Sequence, residues 1–197
     1  MPVELTCRGV NAQPYAAALR DDALALLQIL ALEDCELSLM LVGDGAIRRL
    51  NRKFREKDQA TDVLSFPQME RAGQARQIRR AAIADGPPIP LGDIVISIDT
   101  ARRQARELGL GTSARIRTLL IHGMLHLQGY DHERSAAAAR RMFAREHELA
   151  ELMQDLRGAG PRPRSKRAHA AADPRWSPAA MPERASAAAK KTSDKRT

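Results

Sequence analysis

Three of the five histidines in this 197-residue chain lie in one short segment, H-G-M-L-H-L-Q-G-Y-D-H, at positions 122–132. His122 and His126 are four residues apart, so on a helix both project from the same face and can converge on one metal ion. If that helix continued, His132 would lie about 15 Å along its axis from His122. Because Zn–N bonds are only about 2.0–2.1 Å long, the helix must end before the third imidazole can reach the same ion.

Gly129 lies between the second and third histidines, and we predict that the helix ends there. Glycine adopts the left-handed conformation of a helix C-cap at little cost, which lets the chain turn back. Two histidines at this spacing are by themselves more often an ordinary polar helix face. The third histidine and the glycine together favour a metal site formed by His122, His126 and His132. Three neutral imidazoles would leave a zinc ion doubly charged, with a fourth position open to water or a phosphate oxygen.

The spacing H-x3-H-x2-G-x2-H is also the zinc-binding pattern of the metzincin proteases. Those enzymes carry a glutamate directly after the first histidine, where it acts as the general base. This chain has Gly123 at that position. Peptide hydrolysis by the metzincin mechanism is therefore disfavoured.

The elements around the histidine segment predict an α+β fold, with a small mixed β-sheet packed with helices. The metal site would lie at the end of a helix in the C-terminal half. Strands are predicted at 3–7, 36–42, 61–66 and 92–98, and helices at 14–32, after Asp44, at 99–108, from 112 or 113 into the histidine segment, and at 133–156. Residues 68–90 are polar and end in G-P-P-I-P, which predicts an irregular insertion.

The net charge of +8 is distributed unevenly along the chain. Residues 157–197, the basic tail, contain 11 Lys+Arg and 3 Asp+Glu, so residues 1–156 contain 21 of each charge. The tail is rich in Ala, Pro, Arg, Lys and Ser without apolar periodicity, which predicts disorder. We therefore expect one folded domain over 1–156 and a disordered basic tail over 157–197.

Several features predict a cytoplasmic protein that does not bind membranes. No apolar run reaches 18 residues, and the N-terminal sequence M-P-V-E-L-T lacks the basic and apolar regions of a secretory signal. Cys7 and Cys35 have no motif spacing and suit a reducing compartment.

The histidine segment closely resembles the signature of the bacterial endoribonuclease YbeY family, which acts in rRNA maturation. Two upstream segments resemble the same family: L-N-R-K-F-R-E-K-D-Q-A-T-D-V-L-S-F at 50–66 and L-G-D-I-V-I-S at 91–97. The resemblance covers roughly residues 1–156. It implies a single-strand-specific, zinc-dependent endoribonuclease acting at the 3′ end of the small-subunit rRNA and in ribosome quality control. It further implies one Zn²⁺ per chain on the three histidines, and as partners rRNA in the small ribosomal subunit, ribosomal proteins and an assembly GTPase.

Arg55 is the position to which the resemblance assigns the family's functional arginine. It ends a basic helix that also carries Arg48, Arg49, Arg52 and Lys53. A guanidinium there can bind a phosphodiester through two parallel hydrogen bonds and offset charge that develops at phosphorus. Without the resemblance, an ordinary solvated arginine is the better interpretation.

Three aspartates are candidates for supporting the histidines. Asp62 and Asp93 each begin a strand-like segment, where they either hydrogen-bond to imidazole N–H groups or serve as turn and cap residues. Asp131 precedes the last histidine and either orients it, accepts a proton or caps the turn. The general base stays unassigned, because either metal-activated water or the RNA 2′-hydroxyl can act as the nucleophile.

A second class of function competes with the endoribonuclease, namely a non-catalytic, zinc-containing binding factor for ribosome assembly. The missing glutamate at Gly123 favours this alternative. A three-histidine site with an open position opposes it, since structural zinc usually has four protein ligands. The few aromatic residues argue against a surface that stacks many RNA bases, so contacts to the RNA backbone should dominate.

Overall fold

The computed structural model describes residues 2–68 and 88–158. Within these two ranges, four strands and five helices follow one another in the order β1 (Val3–Arg8), α1 (Gln13–Ile29), β2 (Cys35–Val42), α2 (Asp44–Arg55), β3 (Val63–Pro67), β4 (Ile89–Ser97), α3 (Ile98–Glu107), α4 (Thr112–Leu127) and α5 (Ala136–Gly158). The predicted α+β class is confirmed. Most of the predicted insertion, and the basic tail beyond position 158, lie outside the described residues.

The four strands form one mixed sheet in the order β1-β2-β4-β3. β1, β2 and β4 are parallel, and helices provide the crossovers that parallel neighbours require. β3 is antiparallel to β4, with Leu64 opposite Val95, and lies at the edge of the sheet. The two segments that resemble the YbeY family upstream of the histidines are therefore adjacent, because 50–66 contains β3 and 91–97 lies in β4.

The prediction that the irregular insertion continues to position 90 was wrong. β4 already begins at Ile89, and Ile89 and Pro90 pair with β2 across a register shift. The prolines suggested a loop because proline cannot donate to a strand ladder. Pro90 is tolerated because β3 pairs with β4 only from Gly92 onwards, so among the described residues only β2 pairs with β4 at Pro90.

The first turn of the last predicted helix was also assigned wrongly. α5 begins at Ala136 rather than at 133, and it continues to Gly158. Ser135 lies just before this helix, and its hydroxyl accepts a hydrogen bond from the Ala138 amide at 3.1 Å. A serine cap of this kind satisfies an amide that has no partner within the first helical turn, so it determines where the helix starts.

The two faces of the sheet are covered differently. Alternate residues of β2 and β4, including Leu39 and Ile94, contribute to the main core together with α1, α4 and α5. On the opposite face α2 packs over a smaller cluster formed by Val42, Ile47, Leu64 and Val95. Among the described residues, no helix has both the length and the apolar character needed to cross a bilayer.

Candidate metal centre

Helix α4 carries His122 and His126 through the interior of the protein. The side chain of His122 is almost fully buried, and its Nε2 lies 3.1 Å from Nε2 of His126. The i, i+4 spacing thus aims both ring nitrogens at the same point, as the sequence predicts. Two nitrogens bound to one tetrahedral zinc at about 2.0–2.1 Å would lie about 3.3 Å apart, so this pair fits a zinc ion.

Gly123 lies where α4 approaches the sheet most closely. A Cβ atom at this position would come within 2.9 Å of the Ile94 side chain and 3.0 Å of the Ser65 hydroxyl. Real Cβ atoms do not approach other atoms that closely, so a side chain at 123 would push α4 away from the sheet. The absence of the protease glutamate therefore has a packing cause, because this position faces the core rather than the metal site.

The chain turns back after α4 at Gly129, as predicted. Gly129 has a φ of +87°, its amide donates to the His126 carbonyl at 3.0 Å, and the Tyr130 amide donates to the Leu125 carbonyl at 3.0 Å. These two bonds define a Schellman motif, which commonly ends helices at a glycine. The turn reverses the chain within six residues and brings His132 back to the first two histidines.

The three imidazoles converge in one cluster. The ring centroid of His132 lies 5.2 Å from that of His122 and 5.2 Å from that of His126. One nitrogen from each ring can be chosen so that all three lie within 4.8 Å of one another. Three histidine nitrogens are the donor set of an open, catalytic type of zinc site.

The surroundings of His126 and His132 favour the neutral imidazole, which is the state that binds metals. Burial lowers the pKa of His126 to about 4, and the neighbouring His122 and His132 act in the same direction. Burial and His122 also lower the pKa of His132. Nδ1 of His126 lies 3.0 Å from the Tyr130 carbonyl oxygen, so it carries the proton and leaves Nε2 free for a metal.

Glu146 on α5 is a component of the site that sequence reasoning missed. One of its carboxylate oxygens lies 3.6 Å from Nδ1 of His122, and its side chain is only 14% exposed. Carboxylates behind metal-binding histidines orient the ring and increase its basicity. No spacing rule connects Glu146 to the histidine segment. A glutamate in an Ala-, Arg- and Glu-rich helix is usually a surface residue, so the sequence contains no signal for this one.

Arg55 is joined to the turn that carries the third histidine. Its Nη2 atom lies 3.3 Å from a carboxylate oxygen of Glu133, the residue directly after His132. The Arg55 side chain remains 43% exposed. α2 ends immediately after it, where Glu56 adopts a left-handed conformation with a φ of +58°. A predicted phosphate-binding arginine and the predicted metal ligands are thus connected through one ion pair.

The predicted aspartates have different surroundings. Asp62 accepts hydrogen bonds from Gln104 at 3.1 Å and Arg115 at 3.3 Å. Asp93 accepts one from Gln68 at 3.2 Å. Asp131 caps its own turn by accepting a hydrogen bond from the Glu133 amide at 3.0 Å, and its negative charge offsets part of the lowering that burial causes in the pKa of His126 and His132. Hydrogen bonding of these carboxylates to the imidazoles stays a prediction.

Comparison with known proteins identifies relatives that share this domain. A family model described as endoribonuclease YbeY matches residues 10–154. An endoribonuclease YbeY of Anaeromyxobacter dehalogenans is 48% identical over 150 residues, which cover 76% of this chain and 70% of that protein. One of Geobacter sulfurreducens is 41% identical over 156 residues, covering 79% of this chain and 97% of that protein. A solution structure from Thermotoga maritima is 24% identical with a TM-score of 0.53, covers 81% of this chain and 93% of that one, and shows the fold alone.

Proposed function

Since the chain belongs to the endoribonuclease YbeY family, we propose that it is a metal-dependent endoribonuclease that cleaves single-stranded RNA during rRNA maturation. The main support is the convergence of three imidazoles, together with a solvent-accessible arginine, Arg55, that forms an ion pair with the residue after His132. Metal and guanidinium together provide the two positive centres that a phosphodiester cleavage reaction needs.

Zinc is the proposed cofactor, bound one per chain by His122, His126 and His132. When bound, the ion supplies Lewis acidity and lowers the pKa of a coordinated water. The Tyr130 carbonyl holds the His126 ring in the tautomer that presents Nε2. Glu146 faces Nδ1 of His122 and favours a proton there, so the opposite nitrogen is also presented to the metal.

Arg55 is the proposed phosphate-binding residue. Its guanidinium has five N–H donors, and the bond to Glu133 uses one side of that fork. The remaining donors can bind a non-bridging phosphate oxygen and stabilise negative charge that develops in the transition state. The contact with Glu133 would hold Arg55 at a constant distance from the histidine turn. In this way α2, which packs on one face of the sheet, would contribute a side chain to the histidine site at the end of α4, on the other face.

The proposed biological setting is the assembling small ribosomal subunit in the cytoplasm. The substrate would be the 3′ end of the small-subunit rRNA, with a further role in ribosome quality control and contacts to ribosomal proteins and an assembly GTPase. The basic tail is proposed to tether the 1–156 domain to rRNA, since its excess of 8 positive charges can release counterions from phosphates.

The central test measures cleavage of single-stranded and duplex RNA by the purified chain and by two histidine variants purified identically. His126→Ala should lose both bound zinc and cleavage. His147→Ala is the matched control, because His147 is a histidine on α5 whose side chain is 73% exposed, and it should retain both. Equal cleavage by His126→Ala would reveal a contaminating nuclease.

Two further outcomes separate the alternatives. A wild-type chain that binds zinc and rRNA but does not cleave would support the non-catalytic assembly factor. If cleavage occurs, a single 2′-deoxy substitution at the cleaved position identifies the nucleophile, because attack by water survives that change and attack by the 2′-hydroxyl does not.

A further inference from the structure

The sheet face opposite α4 carries an open groove of about 920 Å³. α4 packs against Ile94, whereas the next residue, Val95, points to the opposite face and lines the groove. Ser38, Met40 and Phe66 extend the floor across three strands. A groove of this volume is within the range of small-molecule and nucleotide sites.

The groove lies at a place in the sheet where ligand sites commonly form. The helix after β1 packs against the main core, while the helix after β2 covers the opposite face. A crevice therefore opens beyond the carboxyl ends of these two adjacent parallel strands, which is the topological switch point of an open α/β sheet. Gly9 and Val10 after β1, and Gly43 after β2, line this part of the groove.

An aromatic side chain is exposed along the groove. Phe54 on α2 is 54% exposed, although it packs edge-on against Phe66 with ring centroids 5.1 Å apart. Lys53 lies over the Phe54 ring at 4.9 Å from its centroid. A large aromatic ring exposed beside cations is the arrangement by which proteins stack single-stranded bases while binding the backbone.

Charges of both signs line the groove: two arginines, Arg8 and Arg49, and three aspartates, Asp44, Asp93 and Asp99. Arg8 and Arg49 both line it and are exposed, and within residues 2–68 and 88–158 no carboxylate forms an ion pair with either. The acidic groups in the groove already accept hydrogen bonds within the protein: Asp44 from Ser97, Thr100 and Arg103, Asp93 from Gln68, and Asp99 from the Asp44 amide. The part of the groove lined by Arg49 and Phe54 thus fits an anion that also has a flat apolar part.

We propose that this groove binds a nucleotide of the single-stranded RNA adjacent to the one that is cleaved, with its base on Phe54 and its phosphate on Arg49. This inference extends the proposed function. Phe54 directly precedes Arg55, which contacts Glu133, the residue after His132, so one end of the groove lies next to an arginine that is joined to the histidine turn. An acidic protein could use the same cations but would not need a stacking ring next to a phosphate-binding arginine.

The test measures the affinity of the full-length chain for a short labelled oligouridine and for an abasic ribose-phosphate oligomer of equal length, checked for integrity on denaturing gels. Phe54→Ala should weaken oligouridine binding roughly tenfold, while Phe54→Trp should preserve it. Neither change should alter binding of the abasic oligomer. Arg49→Glu should weaken both oligomers and reduce the salt dependence, with Arg20→Glu on α1 as the matched exposed control.

Unchanged oligouridine affinity in Phe54→Ala would overturn the inference, and so would an equal loss for both oligomers. An oligoglutamate peptide that loses affinity in Phe54→Ala, while RNA binding stays the same, would make the groove a protein-binding surface and also overturn it. Failure here is distinguishable from failure of the proposed function. If the wild-type chain does not cleave RNA, the binding measurements still test whether the groove binds RNA. If the groove variants bind RNA normally, cleavage that depends on His126 still supports the proposed function.

Discussion

The two faces of the β-sheet differ in how they hold their functional side chains. On one face, α4 buries ten of its sixteen residues, including His122 and Arg115, while His126 and His132 are half-buried. On the other face, α2 buries only Ile47 and Asn51 and exposes its arginines around an open groove. The first face holds ligands at fixed separations, and the second presents charge to solvent.

This difference matches what the two tasks require. A metal site needs its ligands held to within about 0.5 Å of the working geometry, which dense packing provides. Binding of a polyanion needs accessible cations, which contribute little to folding because solvent screens them. Substitutions on the α4 face should therefore change metal affinity, whereas substitutions on the α2 face should change RNA binding or rate in a folded, metal-loaded protein.

Among the substitutions outside the three histidines, Arg55→Lys gives the largest effect we expect and tests whether the two faces act together. Lysine keeps the charge but loses the planar fork, so the cleavage rate should fall on the order of a hundredfold. Zinc content and melting temperature should be unchanged, because the side chain is exposed. Single-turnover cleavage and elemental analysis measure the two quantities, with Arg52→Lys on the same helix as the control. A wild-type cleavage rate in Arg55→Lys would show that Arg55 is an ordinary solvated arginine.

Gly129→Val tests whether backbone conformation alone can damage the metal site. A β-branched residue resists positive φ, and strain of about 1–3 kcal/mol corresponds to a loss of zinc affinity of roughly ten- to a hundredfold if the turn relaxes. Gly109→Val is the matched control, since Gly109 also has a positive φ, of +65°, at the end of α3. Competition with a chelator measures both affinities. Equal zinc affinity in the two variants would argue against a role for the turn in presenting His132.

Glu146→Gln tests the carboxylate behind His122. The amide keeps the size of the side chain but removes the charge that faces Nδ1, so zinc affinity should fall about tenfold, at the lower end of the range for such partners. Glu148→Gln is the control, because that residue lies on the same helix with a 57% exposed side chain. An unchanged zinc affinity in Glu146→Gln would show that packing alone orients the His122 ring.

Asp44→Asn measures how much a hydrogen-bonded carboxylate on the α2 face contributes to the free energy of unfolding. Partial burial raises the pKa of Asp44, but hydrogen bonds from Ser97, Thr100 and Arg103 outweigh it and hold the pKa below its usual value. The carboxylate therefore stabilises the fold above the unfolded-state pKa, and this contribution is lost as pH falls through the folded-state pKa. We expect Asp44→Asn to cost about 1 kcal/mol at pH 7.

The same substitution should also flatten the decline in stability in acid. Urea unfolding of both proteins between pH 7 and pH 3 measures this, and the difference between them should shrink as pH falls. A difference that is constant with pH would mean that Asp44 acts through packing rather than through its charge.

Truncation after Gly158 should have the smallest effect on the described domain, because α5 stays complete. The removed segment contains 10 Lys+Arg and 3 Asp+Glu, since Arg157 is retained. RNA affinity should weaken and become less dependent on salt, with zinc content and the maximal cleavage rate unaltered. Titrations at several salt concentrations measure this. An identical salt slope with and without the segment would assign RNA binding to the α2 face alone.

The sequence by itself determined the features that depend on neighbouring residues. The i, i+4 spacing of His122 and His126 and the freedom of Gly129 to adopt positive φ are local properties of the backbone. They predicted the end of α4 and the return of His132 correctly. The basic character of α2 was also predicted from the sequence, because cations interspersed with an apolar stripe at helical spacing indicate an amphipathic helix with a basic exposed face.

Only the tertiary structure decided which distant residues meet. Glu146 reaches His122 because α5 packs beside α4, and Gly123 lacks a side chain because Ile94 and Ser65 occupy that space. The bond between Arg55 and Glu133 joins residues 78 positions apart. Such contacts follow from how helices and strands pack around a shared core, and that packing depends on the whole set of buried side chains rather than on any short segment. For this reason the convergence of the three histidines could be predicted from spacing, while the carboxylate of Glu146 beside them and the groove across the sheet could not.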